Sequence, residues 1–158
     1  MADNAAVITE LYEAFQRQDG AAMGACYHPE ARFSDPVFPD LKGPEVPAMW
    51  TMLCERAKGF SLEFSGVSAE GGRGRAHWEA RYIFSTTNRP VHNIIDAAFE
   101  FHADGRILRH VDTFDMWRWS RQALGVTGVL LGWSSVVRNK VQGTAGASLR
   151  KYMQSASD

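Results

Sequence analysis

Residues 78–117 read WEARYIFSTTNRPVHNIIDAAFEFHADGRILRHVDTFDMW, and the two turns inside this stretch decide the fold. Asp104-Gly105 between alternating runs is a strong short-range hairpin signal. With those two residues as the turn, Ala103 faces Arg106. Counting outward then pairs Phe101 with Leu108, Phe99 with His110, Ala97 with Asp112 and Ile95 with Phe114. Strand side chains alternate between faces, so all eight share one. The same count from Thr87-Asn88-Arg89-Pro90 sets Trp78, Ala80, Tyr82 and Phe84 against Phe99, Ala97, Ile95 and Asn93, with Arg81 against Asp96 outside. Both turns give three antiparallel strands with one apolar, aromatic inner face. Glu79, Arg81, Asp96, Glu100 and Arg109 belong to the outer face. Asn93, His110 and Asp112 intrude on the inner one, where an unpartnered polar group is costly. That intrusion is the functional clue.

A chain of 158 residues suits one domain, large enough to bury roughly 70% of its unfolded surface. Hydrophobic content of 45%, charged content of 22% and a net charge of -1 are those of an ordinary soluble protein. No basic run suggests nucleic acid. Cys26 and Cys54 both fall in apolar, helix-like settings and read as buried, reduced thiols. The N-terminus, Met-Ala-Asp-Asn, is polar rather than basic then apolar, so the expected location is cytoplasmic. No apolar run reaches the ~20 residues of a membrane span.

In chain order, Asp3 or Asn4 caps a helix to about Gln18, with Val7, Ile8, Leu11, Tyr12 and Phe15 on one stripe. Ala21 to Tyr27 reads as a short second helix ended by His28-Pro29. Ala31 to Asp35 is a strand, followed by a proline-rich loop expected to be exposed with Phe38 at its tip. A third helix starts near Glu45 and turns Val46, Met49, Trp50, Leu53 and Cys54 to one side; Phe60 to Ala69 is a strand that bulges near Gly66. Helices followed by antiparallel strands mean an α+β fold. A strongly twisted sheet wrapped around the N-terminal helices makes a cone whose interior holds side chains or a ligand.

The order of elements, with the segments AFQRQD, CYHPEARFSDPVF and IIDAAFEFHADGRILRHVDTFDMW, resembles the nuclear transport factor 2-like superfamily. Within it, the ketosteroid isomerase and SnoaL-like polyketide cyclase branch is the most similar. The resemblance implies a domain over residues 1–118 with a cone-shaped pocket, no cofactor, and a homodimer. Residues 119–158 are then a helical extension, packed on the same domain or on a dimer partner. In it, Met116 to Ala123 makes an amphipathic turn or two ending at Gly125. Val129 to Trp133 is apolar nearly all round and is expected to be buried. Leu149, Tyr152 and Met153 lie on a weaker helix interrupted by Gly143 and Gly146. A membrane partner is not expected, because the flanking Arg138 and Lys140 are few.

The resemblance also implies site residues. In ketosteroid isomerases the general base is an aspartate in an Asp-Pro after the first strand, which Asp35-Pro36 matches. Their oxyanion hole uses a helix tyrosine and a protonated aspartate. Those places fall here at Leu11, with Tyr12 adjacent, and at Ala97, with Asp96 adjacent but on the outer face. Both donors are missing or displaced, so steroid isomerisation of the usual kind is not implied. SnoaL-like cyclases carry an acid/base aspartate on the last strand, where Asp112 stands, and His110 lies two residues earlier on the same face. A His–carboxylate pair in a dry pocket can remove a proton beside a carbonyl and return one to oxygen. The candidate catalytic set is thus Asp112, His110 and Asp35, and the candidate pocket wall is Tyr12, Trp50, Trp78, Tyr82, Asn93, Phe99 and Phe114. No metal is expected, since a third His or Cys ligand is missing nearby. His77, His92 and His102 read as unremarkable surface groups.

The expected activity is cofactor-independent isomerase, cyclase or dehydratase chemistry on a small, largely apolar carbonyl or polyketide-like molecule. Two alternatives stay open: a small-molecule-binding module without catalysis, and a protein-association domain with a filled core.

Overall fold

The computed structural model describes residues 3–156. Helix α1 (Asn4–Gln16) is capped by Asp3, whose carboxylate accepts from the Ala6 amide, and α2 (Gly20–Ala25) by Asp19 accepting from Ala22. Strand β1 (Tyr27–Ser34), the short β2 (Leu41–Lys42) and helix α3 (Glu45–Arg56) follow. Then come β3 (Lys58–Glu70), β4 (Arg73–Phe84), β5 (Arg89–Phe101) and β6 (Ile107–Thr113). The chain ends in α4 (Met116–Leu124), α5 (Val126–Leu131) and α6 (Ser135–Ala156). The six strands lie in the order β2-β1-β6-β5-β4-β3 in one unclosed sheet. All neighbours are antiparallel except β1 and β6, which run parallel. The sheet is therefore mixed rather than purely antiparallel.

The first hairpin keeps its register where it matters: Phe99 faces His110, Ala97 faces Asp112 and Asp96 faces Thr113. Nearer the turn a bulge after Glu100 pairs Phe101 with Ile107 instead of Leu108, and Ile107 is the residue buried. The second hairpin differs by four residues. Its loop is Ser85 to Asn88, with Asn88 at φ 58°, so Phe84 faces Arg89, Tyr82 faces Val91, Ala80 faces Asn93 and Trp78 faces Ile95. Asn tolerates the left-handed conformation that closes such a loop. The loop is held from outside, as Thr87 donates to the Ala123 carbonyl and Arg89 to that of Gln122. An even shift leaves every side chain on its face. The inner face therefore holds Trp78, Phe99, His110 and Asp112 buried, and Tyr82 and Phe114 partly so. Asp96 now faces His77 rather than Arg81.

Four further expectations are corrected. Tyr27 opens β1 instead of closing α2, because pre-proline His28 is already extended. Phe38 is buried, its loop folding back on Asp35. Helix α6 runs unbroken through Gly143 and Gly146. It packs back on α3, with Leu149 buried, Gln142 donating to the Pro36 carbonyl and Tyr152 to Glu55. Helix α5 is not buried at all. Its small residue, Gly128, is the one turned inward, so close to α4 that a Cβ there would sit 1.9 Å from the Ser120 carbonyl oxygen. Every larger side chain of α5 then faces outward. Cys26 and Cys54 are buried and free, as expected.

Candidate active site

Strand alternation sends Arg109 and Thr113 outward and His110 and Asp112 into the core, with His110 0% and Asp112 4% exposed. His110 Nε2 lies 2.7 Å from Asp112 Oδ1, and His110 Nδ1 lies 2.8 Å from the Tyr27 hydroxyl. The Trp50 indole donates to that hydroxyl at 2.9 Å, and the Trp78 indole donates to Asp112 Oδ1 at 3.4 Å. An indole N–H can only donate, so the Tyr27 oxygen accepts from Trp50 and its own hydrogen is free for Nδ1. Nδ1 thereby accepts, and Nε2 carries the hydrogen aimed at Asp112. The result is one directed chain: Trp50, Tyr27, His110, Asp112.

Aromatic rings close around this chain. Phe33, Trp50 and Phe99 stand 5.0, 6.1 and 4.3 Å from the His110 ring, and Trp78 packs on Trp50 and Tyr12. Two polar groups in the same region lack a partner among the described residues. One is the Tyr12 hydroxyl, buried with no hydrogen bond; the other is Asp112 Oδ2. Tyr12 is close enough to Asp112 for the carboxylate to push its phenol up, beyond the larger rise that burial causes. Tyr27 is raised in the same way, mainly by burial and then by Asp112. Both therefore remain phenols, able to donate.

Asp35 takes a different place. It follows β1 and its Oδ1 accepts from the Val37 and Phe38 amides at 2.7 and 2.6 Å, closing the turn that buries Phe38. Burial pushes its carboxyl up to about 7; the Phe38 and Val37 amides oppose the rise and Asp112 adds to it. Asp35 thus feels the His110–Asp112 pair without bonding to it. A carboxyl raised in the fold binds more protons folded than unfolded between about pH 4 and 7, so stability falls as pH rises through that window. Asp35→Asn keeps the acceptor and removes the titration. Chemical denaturation from pH 4 to 8 should show wild type losing on the order of 2–4 kcal/mol more than the variant. Parallel profiles would contradict the burial of this carboxyl.

The remaining candidates divide. Tyr12, Trp50, Trp78 and Phe99 surround the pair. Tyr82 and Phe114 lie at the junction with α4, where the Tyr82 hydroxyl accepts from Trp119 at 2.7 Å. Asn93 is buried at the inner face near that junction and makes no side-chain hydrogen bond among the described residues. Tyr27 was not anticipated; a strand starting one residue before His28-Pro29 is the signal that would have found it. His77 and His92 are also more than bland surface. Asp96, His77, Glu79 and His92 form a line of contacts at 3.0, 3.0 and 2.7 Å, and Asp96 and Glu79 hold His77 above the usual histidine range. His28, His102 and Asp104 bring ligand atoms within 4.8 Å of one another. There Asp104 is already engaged by Arg106, and backbone amides donate to both Nδ1 atoms.

The profile of the SnoaL-like domain matches residues 8–110. An epoxide hydrolase of the LEH-like type from M. tuberculosis shares 19% identity at a TM-score of 0.63, covering 85% of this chain and 94% of its own. A protein assigned as a polyketide cyclase from Xanthomonas campestris pv. campestris shares 20% at 0.63, covering 75% and 96%. A protein of ketosteroid isomerase-like fold from Catenulispora acidiphila, solved with trimethylamine, shares 10% at 0.64, covering 74% and 91%. No curated protein matches the chain in sequence. Among the described residues no helix is long and apolar enough to cross a membrane.

Proposed function

This chain belongs to the SnoaL-like domain family, and from that premise we propose that it is a cofactor-independent acid/base enzyme acting on a small, largely apolar carbonyl or polyketide-like molecule. The observation that carries the reading is the buried His110–Asp112 pair with Oδ2 and the Tyr12 hydroxyl left unpartnered beside it. A carboxylate oxygen with no donor is the natural acceptor for a proton beside a carbonyl. The buried, unpartnered Tyr12 hydroxyl, kept a phenol by burial and by Asp112, can donate to the oxygen as charge develops there. His110 orients the carboxylate and exchanges the proton. Asp35 supplies a second carboxyl near the junction with α4. Similar structures named for polyketide cyclase and epoxide hydrolase activity support small-molecule chemistry in such an interior.

The pair is almost wholly buried, with His110 0% and Asp112 4% exposed, so substrate entry requires movement. Helix α6 is joined to Pro36 and Glu55 by single hydrogen bonds and to the core by Leu149, and it is the element whose shift would open the interior. The reading includes a homodimer joined through the outer sheet face, where Arg81, Asp96, Glu100 and Arg109 supply both signs of charge. The test is solvent exchange: enolisable ketones and lactones are incubated in deuterated water and followed by NMR. The expected result is enzyme-dependent deuterium uptake beside the carbonyl for at least one compound. Uptake by none, with the same compounds binding, would favour the non-catalytic binding module. Neither uptake nor binding would favour the filled core that the sealed interior also fits.

A further inference from the structure

Helix α5 exposes what a folded domain ordinarily hides. Val126 is 75%, Leu130 64%, Val129 50% and Trp133 66% exposed, and Trp117 of α4 lies alongside. This follows from packing: Gly128 and Gly132 sit against Ser120, so α5 meets α4 through its small face and turns its large one away. A contiguous apolar patch of this kind marks an interaction surface.

Charge says what it meets. Between Met116 and Ala156 the chain carries six Arg and Lys residues and no Asp or Glu, while the rest of the protein is left at −7. The fold adds to this. Arg89, from the start of β5, joins Arg118 and Arg121 around an open concavity of about 480 Å³ next to Gly125, where α5 begins. The Nε of Arg118 is buried without a partner, and among the described residues none of the three arginines pairs with a carboxylate. Arg121 lies over the Trp117 ring at 4.4 Å, a cation held at the edge of the apolar patch. The Trp117 and Trp133 indoles donate to the Val129 and Leu130 carbonyls of α5, which fixes both rings beside it.

The few cations flanking this segment in sequence speak against a membrane, but the fold brings Arg89, Arg118 and Arg121 to its edge. We propose that α5 with this arginine rim is a peripheral docking surface for an anionic lipid membrane: the apolar side chains enter the headgroup–acyl boundary and the arginines meet lipid phosphates. The pattern is that of an interfacial helix, with aliphatic and Trp side chains on one side and cations around them. A second copy is a poorer occupant, because a two-fold contact through this face would set the Arg89, Arg118 and Arg121 rim of one copy against that of the other.

The test uses the full chain with phosphatidylcholine vesicles and with vesicles of phosphatidylcholine mixed with phosphatidylglycerol. Co-sedimentation and Trp emission report binding, at low and at high salt. Binding is expected to the mixed vesicles, with a blue shift, and to weaken at high salt as screening shortens. Leu130→Ser with Trp133→Ser should lower the partition coefficient about tenfold or more. Arg121→Gln with Arg138→Gln should lower it about tenfold. All four positions are exposed, and unchanged thermal melts would show the fold intact. Failure to bind mixed vesicles, or equal binding to both vesicle types, overturns the proposal. So does sedimentation showing a dimer that the two serine changes turn into monomer without vesicle binding, which would make the patch a subunit contact.

Discussion

Asp112→Asn is expected to lower turnover by about 10²–10⁴ while leaving the fold in place. The amide is nearly isosteric, and its oxygen can still accept from the His110 and Trp78 N–H groups that meet Oδ1. What disappears is the proton acceptor at Oδ2, the oxygen with no protein donor. A loss of that size is about 3–5 kcal/mol of transition-state stabilisation, far above the stability change a shape-preserving swap should cause. The loss should fall on kcat with KM little changed, since the carboxylate acts as the proton moves rather than when substrate binds. His110→Gln should cost less if the ring only orients the carboxylate, and about as much if it relays the proton. Steady-state kinetics on a compound found by deuterium exchange, beside urea unfolding of each variant, separates chemistry from folding. Full turnover in Asp112→Asn would end the acid/base reading.

How far the site was legible in the sequence follows from what the strands can and cannot hide. Period-two alternation put His110 and Asp112 on the face of Phe99 and Trp78 without any tertiary information, and they lie there. The same parity absorbed a four-residue error in the second hairpin, because an even slip changes partners and not faces. Partners across the sheet were consequently less legible than faces. The outer line from Asp96 through His77 and Glu79 to His92 went unseen for that reason.

What stayed illegible depends on long-range contact. Tyr27 meets His110 only because β1 runs parallel to β6, and no local pattern announces a parallel pair about half the chain apart. Hydrophobicity alone marks α5 for burial in the sequence, and the fold releases it. Gly128 allowed α4 and α5 to approach so closely that the small face satisfied packing and the large one was released. Four prolines between residues 36 and 47 suggest exposure for Phe38; the Val37 and Phe38 amide bonds to Asp35 turn it inward.

Tyr27→Phe carries the other large effect, on stability. It removes one oxygen and strands two buried groups at once, the Trp50 indole N–H and His110 Nδ1. Each buried group left without its partner costs about 1–3 kcal/mol, so a loss of roughly 2–5 kcal/mol is expected in urea unfolding. The ring itself stays, so no large cavity adds to the figure. Trp50→Phe loses the same donor and some packing, and the double variant leaves only Nδ1 without a partner from this chain of bonds. The two single losses should therefore exceed the double loss by more than the ~0.3–0.5 kcal/mol scatter of independent sites. Activity gives a second readout. Without Tyr27 the Nδ1 side of the ring loses its donor, so Asp112 alone holds the orientation of His110. Turnover should fall in Tyr27→Phe even under conditions where it is fully folded, whereas Trp50→Phe, which leaves the Tyr27–His110 bond intact, should keep more of it. Additive stability losses with undiminished turnover in both would show that the four residues do not act as one chain.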